Sequence, residues 1–292
     1  MSSRFDTQFE RALAYIDAHL NEQFTIEQLA EIAQLPVCHF SFLFRSLYRT
    51  SIEDYTRLLR LLDSAQRLAF NPEESLGQVA SHAGFSSEAD FKRDFERQIG
   101  QSVTAFRAMP DWGNLFAKQQ PLKTLNTASP EETFPVVVES FIGVSVAAIN
   151  HNGPKAYLHQ SVQAMRAWRQ ANSISPDSSR TFNLFKGERC QEELEIEMTI
   201  AVSITAEQQV SLATDISNSD YFYLDKIASM HCARITVEGD KQLQKAIAWL
   251  YGYWLINSDY QLTQSPLFIE RLNIEQEAKP NTINIYLPVR QA

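Results

Sequence analysis

The chain of 292 residues has little cysteine, no long apolar run and no surplus of positive charge. Its three cysteines, Cys38, Cys190 and Cys232, form no Cys-x-x-Cys pair and no zinc spacing. That points away from a disulfide framework and toward a reduced, cytoplasmic protein without a metal site. Apolar runs such as 136–138 and 246–251 fall far short of the roughly 20 residues a membrane helix needs, so no membrane role is expected. The first residues, MSSRFDTQFERALAYIDAHL, carry acids inside the apolar pattern and lack a small-residue cleavage site, so no signal peptide is expected. No P-loop and no Gly-x-Gly-x-x-Gly is present, and no cofactor is expected. Lysine and arginine number 26 against 35 acids, a net charge of −9, which taken alone counts against nucleic-acid binding.

What is present is ordinary globular composition, 44% apolar and 21% charged, in a length that suits about two domains. Residues 1–108 read as dense short helices. Phe5, Phe9, Leu13 and Ile16 recur at helical spacing. Thr25-x-x-Gln28 is a capping box, Ser51-x-x-Asp54 caps a longer helix through about Ala69, and Ser75-x-x-Gln78 and Ser87-x-x-Asp90 open two more. Residues 109–133 mix Pro, Gly, Asn, Ser and Thr with little periodicity and are expected to be a linker. Residues 134–292 then carry β-rich runs at Val136–Val138, Val144–Ile149, Leu194–Thr205, His231–Val237, Leu267–Ile274 and Thr282–Val289. Helices are expected at about 155–171 and 240–257.

Two internal repeats organise this pattern. In the first, Ala30 pairs with Ala80, Ala33 with Ala83 and Leu35 with Phe85 at an offset of 50; Phe40 pairs with Phe91 and Phe44 with Phe95 at 51. Small residues permit close helix crossing, the apolar turn residue plugs the corner, and the phenylalanines anchor the second helix. Each copy is a helix–turn–helix. Two such units joined by one long helix can set recognition helices in successive major grooves, about 34 Å apart. In the second repeat, residues 147–168 align with 233–254 at a constant offset of 86, pairing Ile149 with Ile235, Gly153 with Gly239, Lys155 with Lys241 and Trp168 with Trp254. The shared glycine fits a strand-to-helix turn of positive φ. The expected fold class is an all-α double helix–turn–helix domain followed by a pseudo-twofold α+β domain of duplicated strand–helix–strand–strand units.

Leu76-x-x-Val79-Ala80-x-x-x-Gly84-Phe85, then Phe91-x-Arg93-x-Phe95, Gly100 and Phe106-Arg107, resembles the AraC/XylS family DNA-binding domain over roughly residues 7–108. Arg60, Ala65 and Leu68 of the linking stretch fit as well. The resemblance implies double-stranded DNA as a partner and places a DNA-contacting arginine at Arg93, with Ser86, Ser87, Lys92 and Arg97 nearby. Glu88 and Asp90 occupy positions that would face the groove. In the first unit His39, Ser41 and Arg45 are the corresponding candidates, with Cys38 and Phe42 also at exposed positions, and Phe42 stands where the second unit has Arg93. For Phe42, stacking on a base or thymine methyl, a protein contact and burial against another domain all remain open. Residues 1–109 hold 11 cations and 15 anions, net −4, so the acidity is not confined to the second half. Weak, salt-sensitive DNA binding dominated by the second unit is therefore expected.

The second repeat, with its glycine, apolar alternation and paired tryptophans, is similar to the GyrI-like small-molecule-binding domain over about 134–290. Phe268-x-Glu270 and Ile283-x-Ile285-x-Leu287-Pro288-Val289 fit its closing pattern. The resemblance implies a small-molecule effector and makes Glu270 the buried anion that faces bound cations; Leu272 stands where a tyrosine commonly follows. Read from the residues, period 2 puts Phe268, Glu270 and Leu272 on one face, where a carboxylate needs a partner. That partner is either a cationic ligand or a structural cation such as Lys155 or a neighbour of Arg271. Trp168, Trp254, Tyr157, Tyr251 and Phe268 are candidate walls for an aromatic or cationic ligand, with symmetric core packing the other reading of the tryptophans. No nucleophile–His–acid set stands out, so no catalytic residue is assigned. The chain reads as a ligand-controlled transcription regulator, with RNA polymerase as a further partner. A degenerate regulator acting by protein contact or DNA mimicry, and a small-molecule hydrolase acting through Glu270, are the competing readings.

Overall fold

A computed structural model describes residues 5–113, 115, 132–190, 194–217, 219, 221–272 and 281–291. Most of the linker stretch, 116–131, and the end of the expected strand at 273–274 lie outside the described residues. The chain divides into two compact units, Met1–Leu35 with Phe44–Ala128, and Pro36–Leu43 with Ser129–Ala292. No described helix is long and apolar enough to cross a membrane.

The helical elements are α1 (Asp6–Ala18), α2 (Ile26–Ala33), α3 (Val37–Tyr48), α4 (Ile52–Phe70), α5 (Leu76–His82), α6 (Glu88–Ile99) and α7 (Val103–Ala108). Local chemistry sets their starts. Thr25 and Ser75 form complete capping boxes with Gln28 and Gln78, while Ser51, Ser87 and Ser102 each accept a hydrogen bond from the amide three residues on. Helix α6 stops at Gly100, which adopts a left-handed φ of 79°.

The repeated small residues do what close crossing requires: Ala30, Ala33, Ala80 and Ala83 are all buried. Phe91 and Phe95 are sealed in one core with Leu61, Leu62, Ala65, Leu68, Val79, Val103 and Phe106, and Trp112 and Leu115 pack into it. Arginines tie the loops down. Arg60 donates to the Leu20 and Glu22 carbonyls at 2.8 and 2.7 Å, Arg107 to the Glu74 carbonyl at 2.8 Å, and Arg67 bridges Asp63 and Glu74. These three therefore serve the fold of the helical unit.

In the other unit the elements are β1 (Val137–Phe141), β2 (Val144–Pro154), α8 (Leu158–Ala171, entered through a 3-10 turn), β3 (Thr181–Cys190), β4 (Leu194–Ser203), α9 (Ala206–Ser217), β5 (Phe222–Ile227), β6 (Met230–Glu238), α10 (Asp240–Trp249, continued by a π-helical turn through Trp254), β7 (Tyr260–Leu262), β8 (Phe268–Leu272) and β9 (Thr282–Gln291). The antiparallel sheet runs β1-β6-β9-β8-β3-β4-β2-β5, with β7 attached to β9. Exchanging β1 with β5, β6 with β2, β9 with β4 and β8 with β3 reverses this order into itself. The duplication inferred from the offset of 86 is thus a pseudo-twofold, its axis between β8 and β3.

Two features extend the repeat beyond the aligned stretch. Strand β1 precedes β2 but pairs with β6, and β5 precedes β6 but pairs with β2, so each half lends its leading strand to the other. The crossing connections touch, with Gly143 N–H donating to Ser229 Oγ at 2.9 Å. A Cβ on Gly143 would lie 2.8 Å from both the Ile227 carbonyl oxygen and the Ser229 nitrogen, so only glycine fits. The paired turn glycines, Gly153 and Gly239, both have positive φ, 151° and 76°.

Side chains alternate across the sheet. Ala147 and Ile149 join Met165, Met198, Ile200, Val202 and Leu212 on the helix-covered face, whereas Val146 and Ala148 join Phe141, Phe182, Phe268 and Tyr286 on the opposite face. Residues 36–43 are part of this unit. The Nδ1 of buried His39 lies 2.6 Å from Tyr251 Oη, and Phe42 stacks on the Tyr251 ring at 5.8 Å and meets Phe185 edge-on at 6.2 Å. Burial holds the His39 imidazole neutral, with its pKa down at about 4.

Gly143→Ala is expected to cost about 1–3 kcal/mol, the range for a methyl forced into a filled space. Urea unfolding followed by circular dichroism checks this; an unchanged midpoint would show that the two crossing connections separate freely.

Candidate nucleic-acid interface and effector site

Helix α6 is amphipathic. It buries Phe91, Phe95 and Ile99 and exposes Glu88, Lys92, Arg93, Glu96 and Arg97. Each cation leans on an acid one turn back: Lys92 Nζ lies 3.9 Å from Glu88, Arg93 Nη2 lies 2.5 Å from Asp90, and Arg97 pairs with Asp94. The Arg93 side chain is 78% exposed. Exposed pairs of this kind are worth about 0.2–1 kcal/mol, so a phosphate or base edge competes easily for the same guanidinium. Ser87 is committed to the cap, accepting from the Asp90 amide at 3.1 Å and donating to its carboxylate at 2.8 Å; Ser86 is exposed.

Helix α3 differs. Its sequence, VCHFSFLFRSLY, is apolar on nearly every side, and only Val37 is exposed. His39 and Phe42 are enclosed, while Ser41 and Arg45 are half-buried. Of the residues proposed from sequence as DNA contacts, those of α6 share one open face and those of α3 do not.

On the face of the sheet away from the helices, Glu270 is 4% exposed, next to Phe268. Arg180, immediately before β3, donates from Nε to Oε1 at 2.6 Å and from Nη2 to Oε2 at 3.1 Å. Tyr286 Oη donates to Oε2 at 3.1 Å, and Asn284 Nδ2 lies 3.5 Å from it. The guanidinium carbon sits 5.1 Å from the Phe141 ring centre and 5.0 Å from that of Phe182. Phe268 stacks on Tyr286 at 4.9 Å, with Phe141 edge-on to both. The polar chain runs on through Asn284 and Thr236 to Arg234, which forks onto Glu139. Burial alone would raise the Glu270 pKa, but the Arg180 fork, with Tyr286 and Asn284, outweighs it and holds the carboxyl below its ordinary 4.5. Burial, then the Glu270 charge, pushes Tyr286 upward, so its hydroxyl stays a donor.

The carboxylate's cation is thus Arg180, a residue the sequence reading did not single out. The offset of 86 makes Phe182, two residues after Arg180, equivalent to Phe268, two residues before Glu270; that β3 lies beside β8 is a matter of tertiary pairing. The remaining candidate walls lie elsewhere. Trp168 packs in the helix-side core and stacks on Phe222 at 5.2 Å, Trp254 stacks on Tyr260 at 5.7 Å, Tyr157 is exposed, and Tyr251 contacts His39.

A helical module with a doubled helix–turn–helix, joined to a pseudo-twofold sheet that buries a carboxylate under aromatic rings, is the class of two-part proteins that combine a DNA-binding and a small-molecule-binding domain. The description "GyrI-like small molecule binding domain" matches residues 135–290, and the chain belongs to that family. Residues 29–109 match the description "Helix-turn-helix domain", which makes the N-terminal part an AraC-type module. The probable transcriptional regulator LumQ of Photobacterium leiognathi is 33% identical over 93 residues, 32% of this chain and 37% of that one. The right origin-binding protein of Escherichia coli is 27% identical over 134 residues, 46% of each chain. The chain thus spans less than half the length of these curated relatives. The DNA-binding domain of AdpA, solved in complex with a target DNA, is 32% identical and covers 35% of this chain and 90% of that one, with a TM-score of 0.32.

Because the folded-state pKa of Glu270 is depressed, the stability it contributes is present above pH 4.5 and is lost as pH falls through the folded value. The gap in urea midpoint between wild type and Glu270→Gln should therefore close on acidification below about pH 4.5. A gap that stays constant to pH 3 would show that the charge of Glu270 adds no stability.

Proposed function

We propose that the protein is a DNA-binding transcription regulator controlled by a small ligand, read onto DNA mainly by α6. The observation that carries this is the open, cation-bearing face of α6, with Arg93 at its centre, in a chain whose other module belongs to a small-molecule-binding family. Arg93 is the residue we assign to base or phosphate contact, flanked by Lys92, Arg97 and Ser86. Helix α6 carries four acids and three bases, so these cations act in an unfavourable local field. We assign the effector to the Glu270 face, walled by Phe141, Phe182, Phe268 and Tyr286.

Catalysis is not part of this reading. His151 is occupied by Ser161 and the Pro154 carbonyl, His159 by the Ala156 carbonyl and His231 by Ser140. No carboxylate hydrogen-bonds any of these three imidazoles among the contacts of the described residues, so none is oriented as the base of a triad.

The test is selection of a preferred duplex from a random library, then binding isotherms across salt. Arg93→Ala should cost about 1–3 kcal/mol on the selected site. With three cations engaged, the slope of log K against log salt should be near −3, from about −0.9 per phosphate. No sequence preference, an unchanged affinity for Arg93→Ala, or a slope steeper than about −6 would overturn the proposal.

A further inference from the structure

The two halves of the sheet are built alike, but among the described residues only one of them buries a carboxylate. Register makes the comparison residue by residue. Phe182 faces Ala201 as Phe268 faces Tyr286, and Leu184 faces Thr199 as Glu270 faces Asn284. Ala148 faces Ala201 as Arg234 faces Tyr286. The counterparts of Glu270, Tyr286 and Arg234 are therefore Leu184, Ala201 and Ala148, and at the offset of 86 the counterpart of Arg180 is Pro266. At the three positions equivalent to Glu270, Tyr286 and Arg234 the first half pairs its strands with apolar residues, so the strand pairing itself does not require a carboxylate there. A buried carboxylate retained where leucine serves equally well indicates a site.

The occupant of that site is a side chain of the protein itself. Arg180 is 40% exposed, whereas the carboxylate it covers is 6% exposed, so the guanidinium lies between the carboxylate and solvent. The Arg180 backbone is pinned in both directions: its N–H donates to Ser203 Oγ at 2.8 Å and its carbonyl accepts from the Ser203 amide at 2.9 Å. Withdrawal therefore needs only side-chain rotation. The guanidinium is a flat, delocalised cation that forks two N–H donors onto one carboxylate and lies near the faces of two phenyl rings.

We propose that Arg180 is a tethered stand-in for the effector, and that the effector is an aromatic molecule bearing an amidinium or guanidinium group that displaces it. This rests on the reading of the Glu270 face as the effector site. The hydrogen bonds select the class. Tyr286 and Asn284 both point to Oε2, and among the described residues Oε1 receives its hydrogen bond from Arg180. A quaternary ammonium or phosphonium cation has no N–H, so replacing Arg180 with one would leave Oε1 buried and without a donor. An amidinium restores both bonds and keeps the carboxylate neutralised throughout the exchange.

The experiment uses the full chain, with benzamidine and tetraphenylphosphonium as probes, read by calorimetry and by shift in melting temperature. Benzamidine should bind Arg180→Ala at least tenfold more tightly than wild type and raise its melting temperature, and the effect should vanish in the Arg180→Ala, Glu270→Gln double variant. If Arg180→Ala is not recovered folded, Arg180→Gln should give the same order of affinities. Equal benzamidine affinity in wild type and variant would overturn the stand-in role while leaving the effector site intact. Preference of the variant for tetraphenylphosphonium would overturn the ligand class. Binding of neither probe by wild type or variant would overturn the inference together with the effector-site reading it rests on.

Discussion

A carboxylate beneath a sheet face keeps its charge only if a cation and hydrogen-bond donors replace its water, and Glu270 imposes that condition on the α+β unit. Arg180 leads into β3, which belongs to the first repeat; Glu270 is on β8, which belongs to the second. The pair therefore bridges the seam through which the pseudo-twofold passes. Tyr286 and Asn284 on β9 complete the shell around Glu270, and the chain of polar contacts reaches Arg234 on β6 and Glu139 on β1. One ionised group thereby ties polar residues on β1, β6 and β9 to β8 and to Arg180 at the entry to β3.

The aromatic rings follow from the same condition. Phe141, Phe182 and Phe268 exclude water from the carboxylate, and the faces of Phe141 and Phe182 lie toward the guanidinium. Excluding water strengthens the electrostatic attraction and raises the cost of leaving either partner alone. The opposite face is covered by α8, whose buried Arg169 is held by the Ile174 carbonyl and the Ser179 and Thr181 hydroxyls. There Trp168 stacks on Phe222 over an apolar core, as the folding of a crossover helix onto a sheet requires.

The helical unit distributes its charge in another way. Residues 1–109 are acidic overall, yet several arginines are used inside the fold, Arg60 and Arg107 on loop carbonyls and Arg67 between two carboxylates. The cations of α6 remain at the surface, each beside an acid one turn back. With four acids to three bases on α6, the field at this face, like that of the unit as a whole, is unfavourable to a polyanion, and only the individual exposed cations offer contacts.

Much of this was legible in the residues, because caps and helix periodicity act over a few positions and leave a local pattern. Thr25, Ser51, Ser75 and Ser87 marked helix starts, the repeated alanines marked the crossings, and the offset of 86 marked the duplication. Strand β3 was not legible, since Lys186, Glu188 and Arg189 break its alternation, nor was the exchange of β1 and β5 between halves. Phe42 could be read three ways, and its stacking on Tyr251 follows from a packing more than two hundred residues away in sequence. By itself the sequence determined several helix starts and most of the long strands, the two repeats and the need of Glu270 for a cation. Only the tertiary structure decided that the cation is Arg180, ninety residues distant, and that Trp168 lies on the other face of the sheet. Which strands lie side by side depends on long-range pairing, which no local spacing records.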